Sequence, residues 1–201
     1  EINFAVLVAS LIVASTPLVL AALGELIAEK SGVLNLGVEG MMIIGAVSGF
    51  IVGVETGSAY VGIIAAAVAG ALLSLLFSFI ILIMQANQVA SGLALTIFGL
   101  GIAALMGHPY TGIKSPQIST ISIPILNEIP ILGTMFFQHD LIVYLSLISV
   151  LTIWYFLTRM RAGLILRSVG EDHDVAHSLG YRVITIRFLA IFFGGAMAGV
   201  G

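Results

Sequence analysis

The sequence predicts an all-α fold, a polytopic bundle of membrane-spanning helices. Hydrophobic residues make up 60% of the 201 positions and charged residues only 8%. Soluble domains are about a quarter charged, because their surfaces face water. Uncharged runs of about 20 residues, the length that crosses a hydrocarbon core, recur along the chain. These observations exclude a soluble globular domain, and they place most of the chain in a lipid bilayer.

About six spans are predicted within a single transmembrane domain, residues 1–201. The first run has no basic segment or small-residue cleavage site, so we interpret it as a retained span rather than a signal peptide. The last run stops before it reaches spanning length, so we expect a chain that is truncated at its C-terminus. The runs are residues 2–24, 40–54 (longer if the helix starts near Val33), 60–84, 89–107, 141–157 and 188–201.

The basic residues predict the orientation. Five of the seven lysines and arginines lie within or beside residues 160–183, and the positive-inside rule therefore places this segment in the cytoplasm. Residues 108–140 hold four of the five prolines, so we expect an outward-facing loop or re-entrant segment there. If each predicted span crosses the membrane once, the N-terminus lies outside. A re-entrant or broken helix within residues 25–39 would reverse that side.

Glycines recur at helical spacing in two spans. Gly45, Gly49 and Gly53 share one helix face, and Gly195 and Gly199 repeat the interval. Small residues four apart allow helix backbones to approach closely. The spacing fits either static packing or a sliding gate, and we favour packing.

The cytoplasmic segment, residues 160–183, is predicted to contain a short amphipathic helix over residues 171–179. Three acids follow Gly170, as is typical of a helix N-terminus, and Gly180 suits the position just after a helix. The acidic polar side disfavours an anionic leaflet and favours docking on a protein partner. The residues predicted to make this contact are Gly170, Glu171, Val175, Ala176, Leu179 and Gly180.

Several classes of function are excluded or disfavoured. The net charge of −3 disfavours nucleic acid as a partner, and the absence of cysteine removes thiol nucleophiles and cysteine-bound metals. His173 and His177 lie four residues apart and would need a third strong ligand to bind a metal, so we favour a solvated face. No Walker phosphate loop or catalytic constellation is present, so we expect neither a cofactor nor enzyme activity.

Two sequence blocks carry a family resemblance. One is GLILRSVGEDHDVAHSLGYRVITIRFLAIFFGGAMAGVG, residues 163–201, and the other is GELIAEKSGVLNLGVEGMMIIGA, residues 24–46. The chain resembles permease subunits of ABC importers of the simple-sugar, nucleoside and branched-chain amino acid group. The second block is most similar to the nucleoside and simple-sugar subset.

The resemblance implies a multi-pass subunit of the bacterial cell membrane that forms the translocation pathway for a nucleoside or simple sugar. It implies a second permease subunit, in a homo- or heterodimer, together with cytoplasmic ABC ATPases and an extracytoplasmic substrate-binding protein. ATP hydrolysis would take place on the ATPase, and the helix at residues 171–179 would be the coupling helix that docks there.

Polar residues at membrane depth are candidates for the substrate pathway, because burying them in lipid is costly. Asn35 and Glu39 lie four apart among glycines, where we expect an interrupted helix and an Asn35 side chain that faces an internal cavity. Asn87 and Ser91 begin a second polar strip. The alternative function is an ion-gradient-driven secondary transporter or channel for a small polar solute, with Glu39 as its ion site.

Overall fold

The computed structural model describes residues 4–115, 120–122 and 138–201. Within these ranges six helices are long and apolar enough to cross a membrane, so the predicted all-α bundle with about six spans is confirmed. In chain order the elements are α1 (Phe4–Lys30), α2 (Val38–Thr56), α3 (Ala59–Ser78, prolonged by a π-helical turn at Phe79–Ile83), α4 (Gln88–Gly107, followed by a 3₁₀ turn at His108–Tyr110), β1 (Thr120–Ser122), β2 (Gln138–Asp140), α5 (Leu141–Arg159), α6 (Arg161–Glu171), α7 (His173–Ser178) and α8 (Val183–Val200).

Most of the observed spans are longer than predicted, because their helices begin earlier or end later in the sequence. The first span continues to Lys30, well past residue 24, and the second begins at Val38 rather than Val33. The predicted loop at residues 108–140 lies largely outside the described residues. Its described parts are the 3₁₀ turn, the residues up to 115, and the antiparallel ribbon of β1 and β2, in which Thr120 pairs with Asp140.

The packing of α1 against α8 establishes how the chain crosses. A methyl group on Gly24 would lie 3.1 Å from the Cα of Gly194, and one on Gly201 would lie 3.3 Å from the Cβ of Leu20. Residue numbers therefore rise along α1 as they fall along α8, and the two helices are antiparallel. With 27 residues, α1 is about 40 Å long and crosses the bilayer completely. The break that follows it does not change the number of crossings, so the N-terminal end of α1 lies opposite to α6 and α7.

Glycines bring α2, α3 and α8 into backbone contact. A methyl group on Gly45 would lie 2.5 Å from the Cα of Gly199, and one on Gly49 would lie 2.9 Å from the carbonyl oxygen of Gly62. Met41, Phe77 and Ile191 are completely buried in the core cluster formed around this contact. The predicted close approach at the glycine faces is confirmed, and the preference for static packing over a sliding gate stays a prediction.

Candidate functional site

The connection between α1 and α2, residues 31–37, is an irregular loop that begins with a glycine cap. Gly32 has a φ of +85°, a conformation that L side chains rarely adopt. Its N–H donates to the carbonyl of Glu29, and the N–H of Val33 donates to the carbonyl of Ala28. These two bonds form a Schellman motif, which satisfies the last carbonyls of α1. The predicted interruption is confirmed over residues 31–37, and regular helix resumes at Val38.

Asn35 holds this loop in shape. Its side chain is only 2% exposed, and its Oδ1 accepts a hydrogen bond from the N–H of Gly37 at 3.0 Å. Its backbone N–H donates to Oε1 of Glu25, and its Nδ2 lies 3.5 Å from the sulfur of Met41. The expectation that Asn35 faces an internal cavity is therefore wrong for this chain. The sequence pattern, a polar residue among glycines, is the same for an asparagine that bonds the backbone of a buried loop and for one that faces a cavity.

Glu39 does not share a face with Asn35, because the helix begins only at Val38. The Glu39 side chain is exposed in the first turn of α2, where the helix dipole favours a carboxylate. Asn87 is also exposed and is the N-cap of α4, with its Oδ1 accepting from the N–H of Ala90 at 3.0 Å. Ser91 is half-buried one turn further along α4. A role for these three side chains in transport stays a prediction.

The loop at residues 31–37 is joined to α4 by side chains as well as by close packing. The N–H of Leu34 donates to Oε1 of Gln88 at 2.9 Å, and Oγ1 of Thr96 donates to the carbonyl of Leu36 at 3.1 Å. A methyl group on Gly92 would lie 2.9 Å from the backbone nitrogen of Gly37. The loop and the first half of α4 therefore form one closely packed unit.

The segment predicted as one helix over residues 171–179 is divided between two. Helix α6 runs to Glu171, so Gly170 lies inside a helix rather than before one, and Glu171 ends that helix. Asp172 is extended, with a φ of −149°, and its Oδ1 accepts from the N–H groups of Asp174 and Val175. These hydrogen bonds make Asp172 the N-cap of α7. A short acidic side chain suits this position because it accepts from N–H groups that would otherwise have no partner.

Gly180 ends α7 as predicted. Its φ is +87°, its N–H donates to the carbonyl of His177, and the N–H of Tyr181 donates to that of Ala176. This is the same Schellman motif that ends α1. Helix α7 is therefore capped at both ends, although it has only six residues.

The apolar side chains predicted to contact a partner differ in exposure. Val175 is 54% exposed and Leu179 68% exposed, whereas Ala176 is only 1% exposed. Ala176 is thus packed inside this chain, and the prediction that it belongs to the contact surface is corrected. The amphipathic pattern placed all three on one side, but it could not show which of them faces the rest of the protein.

A junction joins α6 to the end of α1, and the sequence interpretation missed it. A methyl group on Gly170 would lie 3.0 Å from the backbone nitrogen of Gly32 and would collide with the carbonyl oxygen of Lys30. Nε of Arg187, at the start of α8, donates to the carbonyl of Ser31 at 3.0 Å. A glycine within a helix is a signal of close backbone approach, and it could have pointed to this contact.

His173 and His177 lie on the exposed surface of α7, and Nε2 of His173 is 3.6 Å from Oδ1 of Asp174. Within the part of the chain that the structure describes, no group of three histidine, cysteine or acidic side chains is placed to hold a metal ion.

Comparison with known proteins places the sequence of this chain among transport permeases. Residues 7–201 match the family described as the permease component of branched-chain amino acid transport systems. The chain is 38% identical, over 92% of its length, to the putative glucose ABC transporter permease protein TsgC13 of Haloferax volcanii. It is 34% identical to the guanosine ABC transporter permease protein NupQ of Bacillus subtilis, and 32% identical to the nucleoside ABC transporter permease protein NupC of Lactococcus lactis, each over 98% of its length.

The chain spans 58% of the first of these relatives and 65% of each of the other two. No solved structure matches it.

Proposed function

From the premise that the chain belongs to the family of permease components of branched-chain amino acid transport systems, we propose that it is the transmembrane subunit of an ABC importer. It forms the translocation pathway, and it acts with a second permease subunit, in a homo- or heterodimer, and an extracytoplasmic substrate-binding protein. ATP is hydrolysed on separate cytoplasmic ABC ATPases, which dock on α6 and α7.

The substrate class we propose is a nucleoside or a simple sugar. Relatives covering more than nine-tenths of the chain are named for glucose, guanosine and nucleosides. These solutes carry several hydroxyl groups, and they are recognised by convergent polar side chains in an otherwise apolar site.

The substrate pathway we propose passes the exposed polar groups at the start of α2 and α4. Glu39 and Asn87 are exposed although both lie at the ends of membrane-spanning helices. We place both groups within the depth of the hydrocarbon core, where lipid does not solvate them and a water-filled pathway or a second subunit is the surface that fits them. Ser91 continues this strip, while Asn35 acts indirectly by shaping the loop from which α2 begins.

The observation that carries the proposal is the exposed apolar pair Val175 and Leu179 on a helix that is capped at both ends. Burying a leucine contributes about 1.5–3 kcal/mol, which is a large share of a small contact. An ATPase groove that covers both side chains would hold α7 firmly enough to move it.

Motion of α6 and α7 would reach the pathway through backbone contacts. Gly170 of α6 lies against Lys30 and Gly32, so a displaced α6 pushes directly on the loop at residues 31–37. The loop is bonded in turn to Gln88 and Thr96 of α4. Because packed backbones deform little, the loop transmits the displacement to the helices that carry Glu39 and Asn87.

The test uses the Val175→Asp and Leu179→Asp variants in the reconstituted full complex. Each places an unpaired charge in the proposed contact, so we expect ATPase association and uptake to fall at least tenfold while the permease stays folded. His177→Asp is the matched control, because it adds the same charge to the polar side of the same short helix. Association and uptake that survive both variants would show that α7 is not the coupling element.

A further inference from the structure

A large apolar groove lies between α1, α5, α6 and α8, away from the proposed pathway. Its volume is about 580 Å³, within the range of about 300–1,000 Å³ that is usual for small-ligand sites. Nearly all of the side chains that line it are apolar. They include Ile153 and Phe156 of α5, Leu166 of α6, and Leu189 and Phe193 of α8.

Three arginines are adjacent in sequence to residues that line one end of the groove. Met160, which lines it, stands between Arg159 and Arg161, and Tyr181, which also lines it, precedes Arg182. The three arginines are exposed, and none of them forms an ion pair with another described residue. The groove therefore combines an apolar channel at membrane depth with unpaired positive charge where α5 ends and α8 begins.

We propose that this groove binds an anionic glycerophospholipid. One acyl chain lies between α5 and α8, and the phosphate is bound by Arg159, Arg161 and Arg182. Guanidinium groups bind phosphate through two parallel hydrogen bonds, which suits them to this role. A zwitterionic lipid would fill the apolar groove equally well, but its ammonium group offsets the charge of its phosphate, so it offers the three arginines less net negative charge.

The acidic end of α6 does not oppose the placement of a phosphate at Arg161. Helix α6 separates Arg161 from Glu171, and its 11 residues place them about 15 Å apart. That distance exceeds the Debye length of about 8 Å at physiological ionic strength. The basic end of α6 therefore faces a lipid headgroup, and its acidic end lies nearer to the surface proposed for the ATPase.

Bound lipid would brace α6. Ile165 and Leu166 form one wall of the groove, and Ile27 of α1 forms another. An acyl chain between these walls and α5 replaces an open space with packed contacts, and it limits how far α6 tilts away from α1. The binding site itself does not depend on the transport function.

Native mass spectrometry of the purified full-length protein tests the site, with dioleoylphosphatidylglycerol and dioleoylphosphatidylcholine as probes. We expect about a hundredfold tighter binding of the anionic lipid, since each of the three arginines near an anionic headgroup contributes about fivefold. The combined Arg159→Gln, Arg161→Gln and Arg182→Gln variant should bind both lipids equally. Lys114→Gln removes a positive charge on the other side of the membrane, and it should leave the preference unchanged.

A second variant separates the groove from the arginines. Ala162 lines the groove and is exposed, so Ala162→Phe should weaken the binding of both lipids at least fivefold while keeping the charge. Equal binding of the two lipids by the unmodified protein would overturn the proposal, as would a preference that persists in the triple variant. A photoreactive benzoylphenylalanine at Leu189 should crosslink to lipid. A crosslink to a protein segment would show that a helix fills the groove instead.

Discussion

Two of the breaks between helices each contain a left-handed glycine, but they differ in their surroundings. Residues 31–37 separate α1 from α2, and residues 179–182 separate α7 from α8. Each region contains a glycine at nearly the same left-handed φ, +85° at Gly32 and +87° at Gly180. A methyl group on Gly32 would lie 3.0 Å from Arg187 and 3.2 Å from Gly170, whereas one on Gly180 would have no atom within 4 Å.

This difference separates a break that is packed inside the protein from one that is exposed. In the loop at residues 31–37 the polar groups are bonded to α1, α4 and α8, so the interruption connects parts of one chain. Around α7 the local backbone is equally well capped, but Val175 and Leu179 remain exposed. Capping alone therefore says nothing about function, and burial of the neighbouring side chains distinguishes the two cases.

Gly170→Ala is expected to have the largest effect, because it acts against the break that is packed inside the protein. The added methyl group would collide with the carbonyl of Lys30, which is backbone and cannot rotate away. Overpacking of this kind costs about 1–3 kcal/mol, and we expect a loss near the upper end. The measurement is the free energy of unfolding of the full-length protein in detergent, together with uptake by the reconstituted complex.

Gly101→Ala is the matched control for that variant. Gly101 also lies within a helix, but a methyl group there would meet nothing within 4 Å. Alanine is favoured over glycine in helices, so the free energy of unfolding should stay constant or rise by about 0.5–1 kcal/mol. Equal losses in the two variants would show that Gly170 is not in a special contact.

The spans and the first interruption could be predicted from the sequence, because both are local properties. A hydrophobic run of about 20 residues has one stable arrangement in lipid. Gly180 could be placed after a helix because few other residues adopt its backbone conformation. The close approach of α2 and α8 likewise followed from glycines four residues apart.

The roles of Asn35, Ala176 and Gly170 could not be predicted, because each depends on a neighbour that is distant in sequence. Arg187 and Ser31, which belong to the same junction as Gly170, are 156 residues apart. Periodicity showed that Ala176 lies on an apolar face, but not that α7 turns this residue inward. Asn35 was correctly placed in an interruption, yet its buried side chain is used by its own loop.

A pair of variants, Gly32→Ala and Gly180→Ala, is expected to have the next largest effect and measures the contrast directly. Both force alanine into a left-handed conformation, which costs about 1–2 kcal/mol. Only Gly32→Ala also crowds Arg187 and Gly170, so it should lower the free energy of unfolding by about 1 kcal/mol more than Gly180→Ala. Unfolding in detergent provides the comparison. Equal losses would mean that the junction around Gly32 relaxes freely.

The smallest effect is expected for Asp172→Ala, which removes the N-cap of α7 without touching the junction. The side chain of Asp172 accepts hydrogen bonds from the N–H groups of Asp174 and Val175, and loss of such a cap typically costs about 1 kcal/mol. Because α7 has only six residues, the loss should appear as local fraying rather than as a change in global stability. Amide hydrogen exchange in residues 173–178 should therefore become faster, while exchange in α1 and α8 stays unchanged.

Asp172→Asn keeps an acceptor oxygen at the cap, and it should retain the protection seen in the unmodified protein. If α7 lost its order, Val175 and Leu179 would no longer be presented together, so ATPase association should fall with Asp172→Ala and recover with Asp172→Asn. Unchanged exchange in both variants would mean that packing of the buried Ala176, rather than the cap, holds α7 in place.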